Sequence, residues 1–459
     1  MPLALDMKIL IVDDSGTMRL MFKQMLKQVG FTNFILADNG QDAINKLNGV
    51  KVDLILSDWN MPEMDGLELL KWIRKNPDFN DVPFVMATAQ SDKAQQQLVF
   101  ENGGDSHIAK PFDSFELKAT IDESFGLETK AQKRAKSIST DGKVKIKAGH
   151  IQITDHLALG VLKHLIKIGE IKPKHFELET ECMSGWNPVQ NAIETNAVDV
   201  AFVLAPIAMD LYAYDTKIKL VSLAHKNGST FVRNELYLSE NYKHIKNFYQ
   251  YKEVDIPHKM SIHHLLSYKY LKEIGLQPGV PGQKAINVRF EVMPPVKMPQ
   301  IMKGDDMVGG FMVAEPIGLN AIKKGIGNLQ FKSSDLWPGH PCCVVVMQDD
   351  FINEHKDAAY EFVKYLTQAG NYIEKEKEKS SNIAVDFLDP DRKLGLTSEI
   401  LNGVLNDEDG IVLNDMYPAL EDLDTMQRYM HEVMGIGSLI DIDEFADLRF
   451  INAAIGSQK

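Results

Sequence analysis

The stretch VDLILSDWNMPEMDGLELL, residues 52–70, joins an apolar run to an acidic strand end and the start of a helix. The run from Val52 to Leu56 has the length and composition of a buried strand. Asp58 stands where that strand ends, and LELLKWIRK, which follows, has helical periodicity. A carboxylate at this position is unfavourable unless another group at the same edge binds it. The stretch therefore predicts a β–α unit with Asp58 in a binding role.

The first 126 residues repeat this alternation five times. The strand patterns are KILIVDD, NFILAD, VDLILSD, VPFVMATA and SHIAK, and a helical pattern follows each of them, the last from Phe112 to Phe125. This spacing predicts a parallel sheet with helices on both faces. In such a fold, ligands bind beyond the carboxyl ends of the strands.

Polar residues collect at those carboxyl ends. Asp13 and Asp14 end the first strand pattern, Asp58 the third, Thr88 the fourth and Lys110 the fifth. Three carboxylates at one edge repel one another unless a cation compensates their charge. Mg²⁺ suits this position because it is a hard cation with oxygen ligands. A lysine and a threonine alongside can donate to a phosphoryl group, so the predicted chemistry is nucleophilic attack by a carboxylate on phosphorus.

The stretches IVDDSGTMR, SDWNMPEMDGLELL, ATA and AKPF resemble a response-regulator receiver domain of the CheY-like type over residues 7–125. The resemblance implies a flavodoxin-like (βα)5 fold with Asp58 as phospho-acceptor and a sensor histidine kinase or phosphotransfer protein as donor. It implies that Asp13, Asp14 and Asp58 hold Mg²⁺ together with the main-chain carbonyl of Asn60.

Two further roles follow from the same resemblance. Thr88 and Lys110 would contact the phosphoryl group. His107 stands where the chemotaxis proteins have a switching tyrosine. It is either a switch residue or a tolerated half-buried ring.

The bulk composition limits the function classes. A net charge of −14 argues against a nucleic-acid-binding surface. No apolar run reaches 18 residues, which predicts no membrane insertion. The N-terminus lacks a signal-peptide pattern, and three cysteines cannot form a disulfide framework. These features predict a cytoplasmic protein.

The remaining chain is predicted to form a second domain. Residues 1–126 form the first domain, residues 127–142 are a basic linker, and residues 143–459 follow as a second α/β domain. In that domain the chain is expected to leave a first lobe, at about 143–227, and to return to it at about 333–459. The second lobe covers about 228–332.

This second region resembles two-lobed, type II periplasmic-binding-protein-like domains. Its nearest likeness is to the nitrate- and bicarbonate-binding receptors of ABC importers and the wider NMT1-like group. The stretches that carry the resemblance are ITDHLAL, GWNPVQNAI, VDVAFVLAPI, HKNGS, PHKMSIHHLLSYKYLKEIGLQPG, VMPPVKMPQIMKGDDMVGGFMVAEP and DLWPGHP. It implies a small-molecule ligand in a cleft between the lobes.

The resemblance assigns cleft roles to individual residues. Trp186, His263 and Ser229 match ligand-contacting positions of the family, with core packing and helix capping as alternatives for the first two. The further candidates are Thr154, His156 and Glu315. Pro338 stands where the nitrate binders carry a lysine, which makes nitrate doubtful because proline has neither a charge nor a donor. Cys342 and Cys343 are interpreted as buried apolar surface, with metal binding as the alternative.

Three functions are compatible with these patterns. The first is a response regulator, a phosphoacceptor rather than an enzyme, coupled to a small-molecule sensor. The second is an ABC-transporter substrate-binding receptor, against which the N-terminal receiver pattern argues. The third is an enzyme resembling those of thiamine-pyrimidine synthesis, for which no cofactor-lysine motif or dense cysteine cluster is present. We favour the first.

Overall fold

A computed structural model of the chain describes residues 3–88, 93–110, 112, 114–126, 142–234, 245–280, 283 and 285–456. The chain divides into two compact units, Met1–Lys136 and Ser137–Lys459. The predicted linker lies outside the described residues except for its last residue, Gly142.

The first unit alternates strands and helices along its whole length. Its elements are β1 (Lys8–Val12), α1 (Gly16–Gln28), β2 (Asn33–Ala37), α2 (Gly40–Leu47), β3 (Leu54–Asp58), α3 (Gly66–Lys75), β4 (Phe84–Thr88), α4 (Lys93–Glu101), β5 (Ser106–Ala109) and α5 (Ser114–Ser124).

These strands form one parallel sheet in the order β2-β1-β3-β4-β5. Successive residues of β1 enter different cores: Ile9 and Ile11 pack on one face, and Leu10 and Val12 on the other. Apolar residues at every position of the strand thus bury both faces, as parallel sheets covered by helices require. The predicted flavodoxin-like fold is confirmed.

The second unit contains the other eleven strands. They are β6 (Val144–His150), β7 (Phe176–Cys182), β8 (Val200–Leu204), β9 (Ile218–Leu223), β10 (Ser229–Asn234), β11 (Glu253–Ile256), β12 (Pro278–Gly279), β13 (Val288–Val292), β14 (Val308–Ala314), β15 (Gly327–Lys332) and β16 (Cys343–Gln348).

Fifteen described α-helices accompany these strands. They are α6 (Leu157–Lys167), α7 (Trp186–Glu194), α8 (Ala205–Ala213), α9 (Ile245–Tyr249), α10 (Ile262–Glu273), α11 (Met298–Gly304), α12 (Ile317–Lys323), α13 (Ser333–Leu336), α14 (Asp349–Glu354), α15 (Lys356–Lys375), α16 (Lys377–Leu388), α17 (Ser398–Leu405), α18 (Leu420–Arg428), α19 (Ile442–Phe445) and α20 (Arg449–Gly456).

The eleven strands form two sheets, one for each lobe. The first sheet has the order β7-β6-β8-β16-β9, and the second has the order β12-β13-β11-β14-β10-β15. Strand β16 enters between β8 and β9 and runs antiparallel to both. The chain therefore leaves the first sheet after β9, builds the second, and returns through β16. The predicted two-lobed α/β architecture is confirmed.

The helices in the described ranges are too short or too polar to cross a membrane.

Candidate functional site

The carboxyl ends of β1, β3 and β5 bring the predicted phosphorylation residues together. Asp13 directly follows β1, Asp58 ends β3 and Lys110 directly follows β5. Asp13 and Asp58 are buried, at 1% and 8% exposure, whereas Asp14 and Asn60 are exposed. Two carboxylates of the site are thus buried, while Asp14 and Asn60 beside them are open to solvent.

Lys110 bridges the two buried carboxylates. Its Nζ atom donates to Asp13 Oδ2 at 2.7 Å and to Asp58 Oδ1 at 2.6 Å. The backbone N–H of Ser15 donates to Asp13 Oδ1 at 2.9 Å, and that of Asn60 donates to Asp58 Oδ2 at 3.1 Å. Both carboxylates are therefore held in fixed positions by partners on different strand ends.

The charge at this edge is not balanced by Lys110 alone. Burial raises the pKa of Asp58, the ammonium group of Lys110 lowers it, and Asp13 and Asp14 raise it again, so that the pKa lies above its usual value. One lysine stands against three carboxylates, those of Asp13, Asp14 and Asp58. The ligand atoms that these carboxylates offer to a cation are all oxygen. An oxygen-only donor set with excess negative charge fits Mg²⁺.

The turn after β3 depends on a close backbone approach. Gly66 begins α3, and a Cβ atom there would lie 2.2 Å from the main-chain oxygen of Asp58. The N–H of Gly66 donates to the carbonyl of Trp59 at 2.8 Å, and the half-buried Trp59 donates its own N–H to Ala87. The glycine thus lets the helix start directly against the strand end that carries Asp58.

The other two predicted receiver residues lie on β4 and β5. Thr88 is buried at the end of β4, and its carbonyl accepts from the N–H of Lys110 at 2.7 Å. His107 is half-buried on β5, where its ring meets the ring of Phe100 edge-on at 5.8 Å. Thr88 is thus placed beside Lys110, and the roles predicted for both Thr88 and His107 stay predictions.

Sequence reasoning missed Arg19 at this edge. Its Nη1 atom donates to the main-chain oxygen of Asp13 at 2.5 Å, and its Nη2 atom pairs with Asp38 at 2.7 Å. The arginine lies on α1, one helical turn after Ser15, in the quoted stretch IVDDSGTMR. That spacing was the signal that could have identified it.

Five of the six predicted cleft residues are buried in the second unit; Glu315 is half-buried. Ser229 Oγ and His263 Nε2 are 3.0 Å apart. Thr154 donates to the main-chain oxygen of Glu315 through its N–H at 2.8 Å and its hydroxyl at 2.7 Å. Because Thr154 follows the first sheet's β6 and Glu315 follows the second sheet's β14, this contact joins the two lobes.

Glu315 and His156 have unusual electrostatic surroundings. Burial raises the pKa of Glu315 to about 7, although its carboxylate accepts from Thr230 and from the N–H of Leu319. Burial lowers the pKa of His156 to about 3. The Nδ1 atom of His156 accepts from the N–H of Ile151, and its ring lies edge-on to Trp186 at 5.8 Å.

Several buried polar atoms in this region have no hydrogen-bond partner among the described residues. They are Trp186 Nε1, His156 Nε2, His263 Nδ1 and His340 Nε2. Ser261, not His263 or His264, caps α10 by accepting from the N–H of His264. Because nearly all buried polar groups in folded proteins are hydrogen-bonded, these atoms call for a partner such as water, an ion or a ligand.

The interpretation of Cys342 and Cys343 as apolar surface is incomplete. Both are fully buried, but their Sγ atoms lie 3.7 and 3.4 Å from the carboxylate of Asp155. Asp155, His225 and His340 were not among the predicted site residues. Each stands in a stretch that carried the family resemblance (ITDHLAL, HKNGS and DLWPGHP), so the stretches were identified but these side chains were not.

Comparisons with known proteins agree with this division of the chain. The response regulator receiver domain matches residues 9–122, and the NMT1-like family matches residues 139–385. Chemotaxis protein CheY-3 of Vibrio cholerae is 40% identical over 120 residues, covering 26% of this chain and 92% of CheY-3. CheY1 of Helicobacter pylori is 36% identical over 121 residues, 26% of this chain and 98% of CheY1.

Solved structures match the second unit in fold. The ligand-binding component of an ABC-type import system from Staphylococcus aureus, solved with zinc bound, has a TM-score of 0.57 at 22% identity, covering 68% of this chain and 98% of that one. The periplasmic nitrate-binding protein NrtA of Synechocystis has a TM-score of 0.59 at 16% identity, covering 69% and 89%. The chain therefore belongs to the NMT1-like family, and its N-terminal unit is a CheY-like response regulator receiver domain.

Proposed function

We propose that this chain is a cytoplasmic response regulator that accepts a phosphoryl group on Asp58 and couples this state to a small-molecule-sensing NMT1-like domain. The observation that carries the first half is the bridge from Lys110 to Asp13 and Asp58. This bridge brings the ammonium group of Lys110 within hydrogen-bond distance of the carboxylates of Asp13 and Asp58 at the carboxyl ends of three strands. A sensor histidine kinase or phosphotransfer protein is the proposed donor.

The transfer uses the groups at the sheet edge. A carboxylate oxygen of Asp58 attacks the phosphorus atom, the new O–P bond forms, and the donor's nitrogen or oxygen leaves with its bonding pair. Lys110 and the hydroxyl of Thr88 donate to the transferred phosphoryl oxygens. Mg²⁺, held by Asp13, Asp14, Asp58 and the carbonyl of Asn60, would neutralise the charge that this site gathers.

The second half of the proposal rests on the buried polar groups between the two lobes. Trp186 and His263 hold polar atoms without partners in the described part of the chain, and Ser229 already pairs with His263. Thr154, His156 and Glu315 are the other three residues of the proposed ligand-binding cleft. A small polar ligand that reaches these atoms would be enclosed by both lobes, as in other two-lobed binding domains.

Phosphorylation is tested with purified full-length protein, acetyl phosphate and Mg²⁺, followed by intact-mass measurement. The wild-type chain is expected to gain the mass of one phosphoryl group, and only when Mg²⁺ is present. Asp58→Asn removes the nucleophile and is expected to abolish the gain. Equal labelling of the variant and the wild type would refute the assignment of Asp58.

Ligand binding is tested by a thermal-shift screen of small anions and polar metabolites. A ligand present at about 100 times its Kd stabilises the protein by about 2.7 kcal/mol. Trp186→Ala and His263→Ala are each expected to lose this stabilisation and to keep phosphorylation at Asp58. Nitrate is expected to give no shift, because Pro338 offers no charge or donor; tight binding of nitrate would contradict that expectation.

A further inference from the structure

Four side chains that can bind a metal ion meet inside the second unit: Asp155, His225, Cys342 and Cys343. Their donor atoms all lie within 4.8 Å of one another, and each of the four residues is fully buried. Asp155 follows β6 and His225 follows β9, while Cys343 begins β16. The return of β16 between β8 and β9 is what brings the two cysteines to these groups.

The distances between the donor atoms resemble those of a four-coordinate metal site. Asp155 Oδ2 lies 2.9 Å from His225 Nε2, 3.4 Å from Cys343 Sγ and 3.7 Å from Cys342 Sγ. Zinc bonds of about 2.0–2.3 Å in a tetrahedron place neighbouring ligand atoms about 3.3–3.8 Å apart. The other donor atoms also lie within 4.8 Å of one another. The atoms of any pair would therefore have to approach by at most about 1 Å to surround one ion.

The Nε2 atom of His225 has two competing partners. Its Nε2 atom faces Asp155 Oδ2 and also lies 3.3 Å from the N–H of Cys343. One ring nitrogen cannot donate to the carboxylate and accept from the N–H at the same time. The other nitrogen, Nδ1, and the second carboxylate oxygen, Asp155 Oδ1, have no hydrogen-bond partner among the described residues.

We propose that Asp155, His225, Cys342 and Cys343 bind one divalent ion of the zinc type. Two thiolates, an imidazole and a carboxylate form a donor set typical of zinc and unsuited to Mg²⁺. A dication also offsets two of the three negative charges that the two thiolates and the carboxylate would otherwise carry in the protein interior. This site goes beyond the proposed function, since it requires neither phosphorylation at Asp58 nor an organic ligand.

Burial and mutual contact shift the pKa values of all four groups in the cluster. Burial opposes ionisation of Cys342, but a hydrogen bond with Cys343 and the charge of His225 hold the pKa of its thiol below its usual value. Burial likewise opposes the charge of Asp155, yet His225 keeps the pKa of this carboxyl low. Burial lowers the pKa of His225, but Asp155 raises it to about 10, and burial raises the pKa of the Cys343 thiol. A bound ion would therefore have to displace a proton from each of these two groups.

The first test uses the wild-type full-length chain. Protein stripped with a chelator is titrated with Co²⁺ in excess Mg²⁺, which keeps the oxygen site of the receiver occupied. The expected result is one Co²⁺ per chain with a thiolate-to-cobalt charge-transfer band, which Zn²⁺ displaces. A titration with no charge-transfer band would overturn the proposal, whatever the variants do.

The second test assigns the band to residues. Cys342→Ser with Cys343→Ser is expected to abolish the band and to weaken Zn²⁺ binding by more than about 100-fold, because loss of outer hydrogen-bond partners alone costs 10- to 100-fold. Cys182→Ser is the matched control, since Cys182 is exposed and lies outside the cluster. A band that survives the double substitution, or that the control removes, would contradict the assignment.

A third variant distinguishes weaker metal binding from a loss of folded structure. Asp155→Asn keeps the shape of the side chain but removes its charge, and it is expected to weaken Zn²⁺ binding measurably while the far-ultraviolet circular dichroism stays unchanged. Unchanged Zn²⁺ affinity in this folded variant would exclude Asp155 from the site and overturn the four-residue assignment.

Discussion

At the scale of single residues, Gly66 shows how closely the chain packs around the proposed phosphorylation site. A Cβ atom at this position would lie 2.2 Å from the carbonyl oxygen of Asp58, which is backbone and cannot move away cheaply. Gly66→Ala is therefore expected to destabilise the protein by about 1–3 kcal/mol, the usual cost of overpacking. Urea unfolding of the full chain, monitored by receiver fluorescence from Trp59 and Trp72, measures this change.

Gly16 provides the matched control for this substitution. It also begins a receiver helix, but the nearest atom to its Cβ position is a flexible arginine side-chain nitrogen, 3.5 Å away. Gly16→Ala is expected to leave the stability unchanged or to raise it slightly. Equal effects of the two substitutions would show that close packing against Asp58 is not the reason for glycine at position 66.

The surroundings of Asp255 lead us to expect that the free energy of unfolding depends on pH. It is buried on β11, and both of its carboxylate oxygens have no hydrogen-bond partner among the described residues. Burial, followed by the charges of Glu291 and Asp305, raises its pKa to about 7. The folded chain thus holds this proton more tightly than the unfolded chain, whose carboxyl titrates near pH 4. Its contribution to stability is complete below about pH 4 and is lost as the pH rises to about 7.

Asp255→Asn tests this sign. The variant cannot ionise, so its advantage over the wild type is expected to grow between pH 4 and 7 and then to level off at up to about 4 kcal/mol. Urea unfolding at several pH values measures it, with the exposed Asp306→Asn as control. An advantage that is constant with pH would mean that Asp255 does not carry a proton in the folded state.

At the same scale, the sequence predicted the receiver cluster better than the buried cluster of the second unit. Asp13, Asp58 and Lys110 could be placed together because parallel strands share one carboxyl edge. Asp155 and Cys342 are 187 positions apart, and they meet only because β16 returns between β8 and β9. The sequence predicted that the chain returns to the first lobe, but not which strands β16 pairs with or in which register. The partners of the cysteines therefore could not be deduced.

At the scale of elements, the start of α3 is set by a reciprocal cap. The side chain of Asp65 accepts from the N–H of Glu68 at 2.7 Å, and the side chain of Glu68 accepts from the N–H of Asp65 at 3.1 Å. Asp65→Ala removes the first of these bonds and is expected to cost about 1 kcal/mol. Asp65→Asn keeps an acceptor and should lie within a few tenths of a kcal/mol of the wild type.

Thermal unfolding of the two variants measures the cap directly. If alanine and asparagine give the same midpoint, the side-chain acceptor does not stabilise this helix, and the stability of α3 must come from its buried face alone. Leu69, Leu70 and Ile73 form that face.

Helix ends and irregular turns were the least predictable elements. The last receiver helix was expected from Phe112 to Phe125 and is described from Ser114 to Ser124. Helix α18 (Leu420–Arg428) continues as a π-helix over Tyr429–Met434. A π-helix adds one residue to each hydrogen-bonded ring. An apolar pattern of six residues is too short to distinguish a π-helix from an α-helix.

At the scale of the whole molecule, one chain joins a receiver unit to an NMT1-like unit. Phosphorylation adds about −1.5 to −2 charge units at Asp58. If the second unit responds to this change, equilibrium coupling requires that its ligand also alters the receiver. Coupling free energies between such sites are typically about 1–3 kcal/mol, or roughly 5- to 150-fold in an equilibrium constant.

Hydrogen–deuterium exchange of the full chain, with and without beryllofluoride and Mg²⁺, tests this central claim most directly. Beryllofluoride mimics the phosphoryl group, and Asp58→Asn serves as the control that cannot bind it. Altered exchange is expected both around Asp58 and in peptides of the second unit that contain Thr154, Ser229 or His263, with no change in the control. Changes confined to residues before 127 would contradict the account and indicate two independent domains.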